Sequence, residues 1–380
     1  MTHLLVTNDF PPKVGGIQAY LWELWQRLDP DSFVILTARS HPEADAFDRD
    51  QAGRGIRIER VAGRVLVPSP PLVRRVRETA HRAGADLVVI DPAFPLGLVG
   101  PALGLPYAVV LHGAEVAIPG RLPAARQVVG HVLRHSSLAI SAGGYPAAEA
   151  ARALPRGGMP PVVEIPPGVD LERFGVLDPS ERASTRAGFG LPAEGPLVVS
   201  VSRLVPRKGM DVLIDAAVRL RGDFPDLSVA ISGRGRDTDR LAGRIAEYNA
   251  PVRLMGGVSD AELPGLIGAA DVFAMVCRNR WLGLEQEGFG IGFLEAAAAG
   301  VPQVAGASGG AGEAVVDGET GLVVSRPTDV GAVVRAIGLL LADHVLREKM
   351  GAASRARVEA SFDYDKLAPR LAASLASVAG

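Results

Sequence analysis

Short, uninterrupted apolar runs rich in branched side chains recur along this chain, and helical patterns fill the gaps between them. Leu4 to Thr7, Phe33 to Leu36, Leu87 to Ile90, Tyr107 to Leu111, Leu138 to Ile140 and Val162 to Ile165 form a first series. After Pro166-Pro167-Gly168 the alternation resumes with Leu197 to Val201, Leu227 to Ser232, Val252 to Met255, Val272 to Met275, Gln303 to Ala305 and Leu322 to Val323. A strand that is apolar on both faces must be covered on both faces, and helices between such strands supply the cover. The pattern therefore predicts α/β architecture with parallel sheets. Two series, each with glycine-rich loops after its strands, predict two doubly wound halves. Ligands of such sheets lie beyond the carboxyl ends of the strands. The expected halves are 1–168 and 169–363, facing each other across a cleft.

Within the second half, Glu287-Gly288-Phe289-Gly290-Ile291-Gly292-Phe293-Leu294-Glu295 sets two carboxylates eight residues apart around a glycine-rich start. If most of it is helical, eight residues advance about 12 Å and leave the two carboxylates on roughly the same side. Such a pair can grip hydroxyls at both ends of an elongated ligand. Uncapped amides of Gly288, Phe289 and Gly290 would face an anion between them. A sugar, a diphosphate and a ribose in a row fit that layout. Taken alone, a buried helix with two incidental glutamates explains the segment as well.

Other segments complete the pattern. Asn8-Asp9-Phe10-Pro11-Pro12-Lys13-Val14-Gly15-Gly16-Ile17 follows the first strand, and Ser202-Arg203-Leu204-Val205-Pro206-Arg207-Lys208-Gly209 follows the first strand of the second half. Together with the Glu-x7-Glu segment and Pro166 to Asp170 with Phe174, they resemble the retaining glycosyltransferases of the GT-B fold (glycosyltransferase family 4). A narrower similarity is to actinobacterial phosphatidylinositol mannosyltransferases, especially those that add the second mannose. It is carried by Thr7 to Pro12, Ser202 to Gly209, Ala270 to Met275 and the arginine-bearing insert before Glu287. The resemblance implies a nucleotide-sugar donor, GDP-mannose in the narrower match, and a glycolipid acceptor, and it implies that a last helix at about 364–380 crosses back to the first half. It gives Glu287 the sugar and Glu295 the ribose. Gly15, Gly16, Arg203, Lys208 and the amides of Gly288, Phe289 and Gly290 receive the diphosphate, and Gly257 and Val258 the base. His112, at the carboxyl end of a strand, receives a donor-sugar hydroxyl.

Composition bounds the alternatives. A balance of 40 basic against 42 acidic residues predicts no nucleic-acid partner. Cys277 is the only cysteine, which excludes an internal disulfide and any multi-cysteine metal site. Gly15-Gly16 lacks the G-x-G-x-x-G spacing of a dinucleotide fold, which argues against an oxidoreductase. Asp29-Pro30-Asp31, Asp48-Arg49-Asp50 and Asp363-Tyr364-Asp365 match the Asp-x-Asp metal pattern, but none ends an apolar strand, so all read as loop residues. No cofactor and no metal are expected, because Arg203, Lys208 and helix amides can neutralise the phosphates. Ala93 to Leu111 is 19 residues without a charge. Its three prolines interrupt a spanning helix, so it reads as a short helix, a turn and a buried strand.

Strand-like sequence begins at His3 without a secretion signal, so the expected location is cytoplasmic, with peripheral placement on the inner face of the plasma membrane. Two basic stretches, Arg74 to Arg82 and Arg121 to His135, lie in the acceptor-side half. The first follows apolar residues including Leu66 and Leu72 that are expected to dip into a bilayer interface. The alternatives are the same chemistry on a soluble acceptor, such as a natural product or thiol precursor, and a nucleotide-sugar-binding relative without catalysis.

Overall fold

The computed structural model describes residues 1–154 and 158–378. The chain divides into two compact units, Met1–Pro167 with Tyr364–Gly380, and Gly168–Asp363.

The first unit is built on a seven-stranded sheet of β1 (His3–Thr7), β2 (Phe33–Ala38), β3 (Ile58–Val61), β4 (Leu87–Asp91), β5 (Tyr107–Leu111), β6 (Leu138–Ser141) and β7 (Val162–Glu164). Their spatial order is β3-β2-β1-β4-β5-β6-β7. Every pairing is parallel. Alternate residues of one strand feed opposite cores: Leu4 and Val6 join one apolar cluster, Leu5 the other. That two-sided burial is why the strands read as unbroken apolar runs. β3 was not foreseen. It is an edge strand, half-buried throughout, and its Ile-Glu-Arg-Val sequence alternates instead of running apolar. The helix Tyr364–Ala376 covers one face with Tyr364, Leu367, Leu371 and Leu375, which join the same core as Tyr20, Leu21 and Leu24 of the helix Gly16–Trp25.

The second unit repeats the scheme with six parallel strands: β8 (Leu197–Val201), β9 (Ser228–Ser232), β10 (Val252–Gly256), β11 (Val272–Met275), β12 (Gln303–Gly306) and β13 (Gly321–Val324). The order is β10-β9-β8-β11-β12-β13. Numbered from its own first strand this is 3-2-1-4-5-6, the Rossmann arrangement. The uncharged stretch from Ala93 folds as the short 3-10 helix Leu96–Ala102 followed by β5, both in the interior of the first unit. Among the described residues no helix is long and apolar enough to cross a membrane.

Close loop packing in the second unit depends on glycine. Gly209 has φ 72°, and a Cβ there would stand 2.1 Å from the Val276 carbonyl oxygen. Backbone on both sides leaves nothing flexible to give way. Gly209→Ala should therefore destabilise the second unit by at least about 1–3 kcal/mol, the cost of the backbone conformation alone. Gly312→Ala, where the added methyl meets nothing within 4 Å, should leave the denaturant midpoint nearly unchanged. Equal midpoints for the two variants would refute this account of the loop contact.

Candidate active site

In each sheet the connections run outward in opposite directions from one pair of neighbouring strands, and the crevice at their carboxyl ends is where such sheets bind ligands. In the second unit that pair is β8 and β11. The loop after β8 closes with a 3-10 turn, Pro206–Lys208, stopped by Gly209. The missing side chain at Gly209 lets this loop lie on the loop after β11, where the Arg278 amide donates to the Arg207 carbonyl at 2.8 Å.

The contact delivers Lys208 Nζ to 2.7 Å from Glu287 Oε2. Arg207 Nη1 donates to the same oxygen, and the Cys277 thiol lies 3.4 Å from it. The backbone of Glu287 is fixed by the loop after β12. Its amide donates to Ser308 Oγ at 3.1 Å, its carbonyl accepts from the Gly310 amide at 3.0 Å, and Ser308 Oγ donates to Asn279 Oδ1 at 2.8 Å. Burial opposes a charge on Glu287, yet Lys208 and Arg207 overcome it and hold the carboxyl down at about 2. This carboxylate is ionised at every working pH. It can accept hydrogen bonds from hydroxyls but cannot deliver a proton.

The Glu-x7-Glu segment differs from a mostly helical reading. Its helix runs Ile291–Ala298, and Gly290 precedes it at φ 94°. A Cβ on Gly290 would meet the Phe293 ring at 2.6 Å, so glycine is required where the loop turns into the helix. Glu287 thus sits in the loop and only Glu295 on the helix. The first-turn amides are those of Ile291 and Gly292, because the Phe293 amide already donates to Gly290 at 2.9 Å. Gly288 and Gly290 place backbone at the site. The Phe289 side chain is buried against Phe362, ring centroids 5.7 Å apart, so Phe289 offers backbone only. Glu295 is half-buried, and among the described residues no donor bonds its carboxylate. Burial pushes its carboxyl up to about 7; Arg173 pulls it down only in part and Asp260 adds to the rise.

Arg203 is not drawn into this cluster. It is exposed, and among the described residues no carboxylate pairs with it. Arg207, which reads from sequence as a solvated charge, takes the place beside Glu287 instead. Gly257 is exposed after β10, where a Cβ would lie 3.1 Å from Arg234 Nε, and Val258 packs on the core.

In the first unit the corresponding strand pair is β1 and β4, with Thr7 and Asp91 in register at their ends. His112, directly after β5, places Nε2 2.5 Å from Asp91 Oδ1. Thr7 Oγ1 donates to Asp91 Oδ2 at 2.7 Å and accepts from the Asp9 amide at 2.8 Å. Burial disfavours the charged imidazole, but Asp91, Glu115 and Asp9 outweigh it and raise the His112 pKa. Burial and Asp91 raise the Asp9 carboxyl. Asp91 escaped sequence reasoning; the one signal was an acid closing an apolar strand. Gly15 precedes the helix Gly16–Trp25 with no side-chain cap, leaving the first amides open.

The Asp-x-Asp matches are occupied structurally. Asp29 caps the 3-10 turn Pro30–Ser32, Asp48 lies 2.8 Å from Arg60, and Asp365 lies 2.6 Å from Arg27. Asp48 and Asp50 belong to the helix Ala44–Ala52 and not to a loop. Among the described residues no group of three His, Cys, Asp or Glu could hold a metal ion.

The first basic stretch is less free than its sequence suggests. Arg75 and Arg82 both pair with Glu59, at 3.2 and 2.7 Å, and Arg77 donates to the carbonyls of Ala102 and Leu103. Leu66 and Leu72 are buried, whereas Val65 and Val67 are exposed. Leu66 is held inward because its amide and carbonyl both bond the Asn8 side chain, at 2.6 and 3.0 Å. In the second stretch Arg126 donates to the Ala153 carbonyl at 2.9 Å.

Comparison with known proteins gives the same answer for both units. Residues 14–173 match the profile described as Glycosyltransferase Family 4, and residues 181–357 match that of Glycosyl transferases group 1. The chain is 39% identical over 358 residues to the GDP-mannose-dependent alpha-(1-6)-phosphatidylinositol monomannoside mannosyltransferase of Mycolicibacterium smegmatis, covering 93% of this chain and 92% of that one. It is 36% identical over 373 residues to the GDP-mannose-dependent monoacylated alpha-(1-6)-phosphatidylinositol monomannoside mannosyltransferase of Corynebacterium glutamicum, covering 97% and 96%. Among solved structures, Anabaena Alr3699/HepE in complex with UDP superposes with a TM-score of 0.83 at 24% identity, covering 99% of this chain and 100% of that one. The fold is GT-B, with two Rossmann-like domains.

The raised Glu295 pKa has a consequence for stability. Its ordinary value is 4.5 and its folded value about 7, so ionisation in the fold costs free energy. That cost is absent below the ordinary value and fully present once pH passes the folded one. Glu295→Gln removes it, so the variant should be more stable than the parent at pH 8, by on the order of 1–3 kcal/mol, and gain much less at pH 5. Thermal unfolding at the two pH values reads the difference. A gain independent of pH would contradict it.

Proposed function

The chain belongs to glycosyltransferase family 4, and on that premise we propose that it transfers mannose from GDP-mannose to a phosphatidylinositol mannoside, with retention of configuration. The observation that carries the reading is the Glu287–Lys208–Arg207 cluster at the switch point of the second unit. Full-length relatives that use GDP-mannose on a phosphatidylinositol monomannoside support the donor and the acceptor.

In this reading Glu287 accepts hydrogen bonds from mannose hydroxyls, and Glu295, ionised and otherwise unpartnered, accepts them from the ribose. The diphosphate gains charge as the bond from the anomeric carbon to its phosphate oxygen breaks. Lys208 and Arg207 are fixed cations already directed at that place, which lowers the barrier. Arg203, exposed at the mouth of the loop after β8, supplies a further cation to the phosphates. The acceptor hydroxyl oxygen attacks from the face the leaving group departs, forming the new glycosidic bond, and its proton passes to the departing phosphate oxygen. A double displacement would need a free carboxylate nucleophile, and Glu287 is committed to its two cations. The same cations make a metal unnecessary.

For the first unit we propose that the open amides after Gly15 and the Asp91-oriented His112 hold phosphate and hydroxyl groups. On the acceptor side, a groove of about 650 Å³ is lined by Pro70, Val73, Arg74, Arg77, Leu98 and Val99, among others, with Val65 and Val67 exposed nearby. It offers apolar wall and cation together, the surface a glycolipid of the inner membrane leaflet requires. Each cation near an anionic leaflet adds about 1 kcal/mol of attraction.

The test is product formation from GDP-mannose and a phosphatidylinositol monomannoside, read as dimannoside by mass spectrometry and as released GDP. Lys208→Ala should remain folded at 25 °C with a lowered melting temperature, because Arg207 alone then offsets the buried Glu287, and lose turnover by about 10²–10³-fold, the usual effect of removing one charge stabiliser of a departing group. The parent rate should survive EDTA. Transfer restored only by Mn²⁺ or Mg²⁺ would overturn the metal-free mechanism, and rapid transfer to a water-soluble acceptor alone would overturn the glycolipid.

A further inference from the structure

The loop that leads into Glu287 carries a feature the proposed reaction does not use. Arg280 and Glu285 form an antiparallel bridge, with the Arg280 amide donating to the Glu285 carbonyl at 2.9 Å and the side chains paired at 2.8 Å. Between them projects a short tip, Trp281-Leu282-Gly283-Leu284. Trp281 is 61% exposed, Leu282 101% and Leu284 38%. Trp281 and Leu282 also have φ of 48° and 55°, left-handed values that bulky residues avoid. Tight hairpins ordinarily put Asn, Asp or Gly at such positions. The tip therefore combines backbone strain with large apolar side chains held in water, and a solvated turn needs neither.

The surroundings define what would cover it. The Arg280 guanidinium stacks over the Trp281 ring, 4.7 Å from its centroid. Arg236 reaches within 3.9 Å of Glu285 with its side chain 63% exposed, and Arg234 is exposed in the same loop. Arg280 and Arg236 against Glu285, with Arg234 exposed in the loop that carries Arg236, surround the apolar tip with positive charge. That combination matches a membrane interface, where an indole ring sits among acyl groups with its N–H toward water and arginine stays with the phosphates. We propose that the hairpin Arg280–Glu285 inserts Trp281 and Leu282 into the headgroup–acyl boundary of an anionic phospholipid bilayer. The proposal rests on the reading that the acceptor is a glycolipid. Gln286 alone separates the hairpin from Glu287, so insertion would hold the sugar-binding carboxylate at the surface from which such an acceptor projects.

The full chain reports on this directly, because its other tryptophans lie in the first unit, Trp25 fully buried and Trp22 half-buried. On titration with phosphatidylglycerol–phosphatidylcholine vesicles, Trp emission should shift to the blue and be quenched by brominated acyl chains. Both signals should vanish in Trp281→Phe. The double variant Trp281→Ser/Leu282→Ser should bind the vesicles about tenfold more weakly, while its hydrolysis of GDP-mannose in vesicle-free buffer matches the parent. Vesicle binding without quenching of Trp281, or unchanged affinity in the double variant, would overturn the proposal. Insertion by a protein that mannosylates no glycolipid would overturn the acceptor reading and leave the hairpin assignment standing. Mannosylation of a detergent-dispersed glycolipid without insertion would overturn the hairpin assignment alone.

Discussion

One buried carboxylate oxygen organises the second unit: Glu287 Oε2 takes both Lys208 and Arg207. Desolvating charged groups costs several kcal/mol per ion, so a cluster of this kind is poor evidence for stability. Its value is positional. Three loops, after β8, β11 and β12, converge on Glu287, and each is fixed there by backbone contacts that tolerate only small residues. Gly209 meets the Val276 carbonyl, while Gly309 and Gly310 meet the carbonyls of Glu287 and Gly288. Removing either cation leaves a buried anion under-compensated, whereas an arriving diphosphate offers the cations a second anion. In the proposed reaction the cluster is thus arranged in advance for a charge that develops elsewhere, which is the condition for electrostatic catalysis.

The first unit uses the same topology for a different end. Its strand pair β1 and β4 gathers Thr7, Asp9 and Asp91, and β5 adds His112. Here the acids outnumber the bases, and they raise the His112 pKa against the opposing effect of burial. The T-shaped Tyr20 ring, 5.6 Å from His112 by centroids, fixes the plane that Asp91 fixes by hydrogen bonding. Equivalent strand ends therefore present a carboxylate flanked by cations in one unit and an imidazole flanked by acids in the other.

What could be read from sequence followed from how directly each property is written in side-chain chemistry. Two-sided burial writes itself as unbroken apolar runs, so the nine interior strands were legible and the edge strands β7, β10 and β13 were read with them, while edge strand β3, alternating Ile58-Glu59-Arg60-Val61, carried no such mark. His112 stood out at the carboxyl end of a strand, whereas Glu287 was marked by its spacing from Glu295 and Lys208 by the family resemblance. Choosing between Arg203 and Arg207 was another matter. It depended on the direction of the Pro206–Lys208 turn, and hence on Gly209, which composition does not encode. The helix start was misplaced because Gly288 and Gly290 look alike in sequence, yet only Gly290 faces the Phe293 ring. Leu66 and Leu72 read as membrane-facing because hydrophobicity has no direction until Asn8 pins the Leu66 backbone.

The two glutamates of the Glu-x7-Glu segment show how one fold sets two roles. Both are shielded from water, so burial alone would raise both. Lys208 and Arg207 reverse this for Glu287, bringing it to about 2, whereas Glu295 has only Arg173 against burial and Asp260 and rises to about 7. Environments that push like groups apart are the usual basis for a division of labour in an active site. Glu287 is a permanent acceptor whose charge is already balanced, so a sugar hydroxyl can join it without changing its protonation. Glu295 is poised: near neutrality the empty site holds a mixture of acid and carboxylate, and hydroxyl donors favour the carboxylate. In the proposed reading, nucleotide binding and deprotonation of Glu295 are therefore linked. On that reading, hydroxyl donors from the ligand offset the cost of ionising Glu295 on the helix Ile291–Ala298.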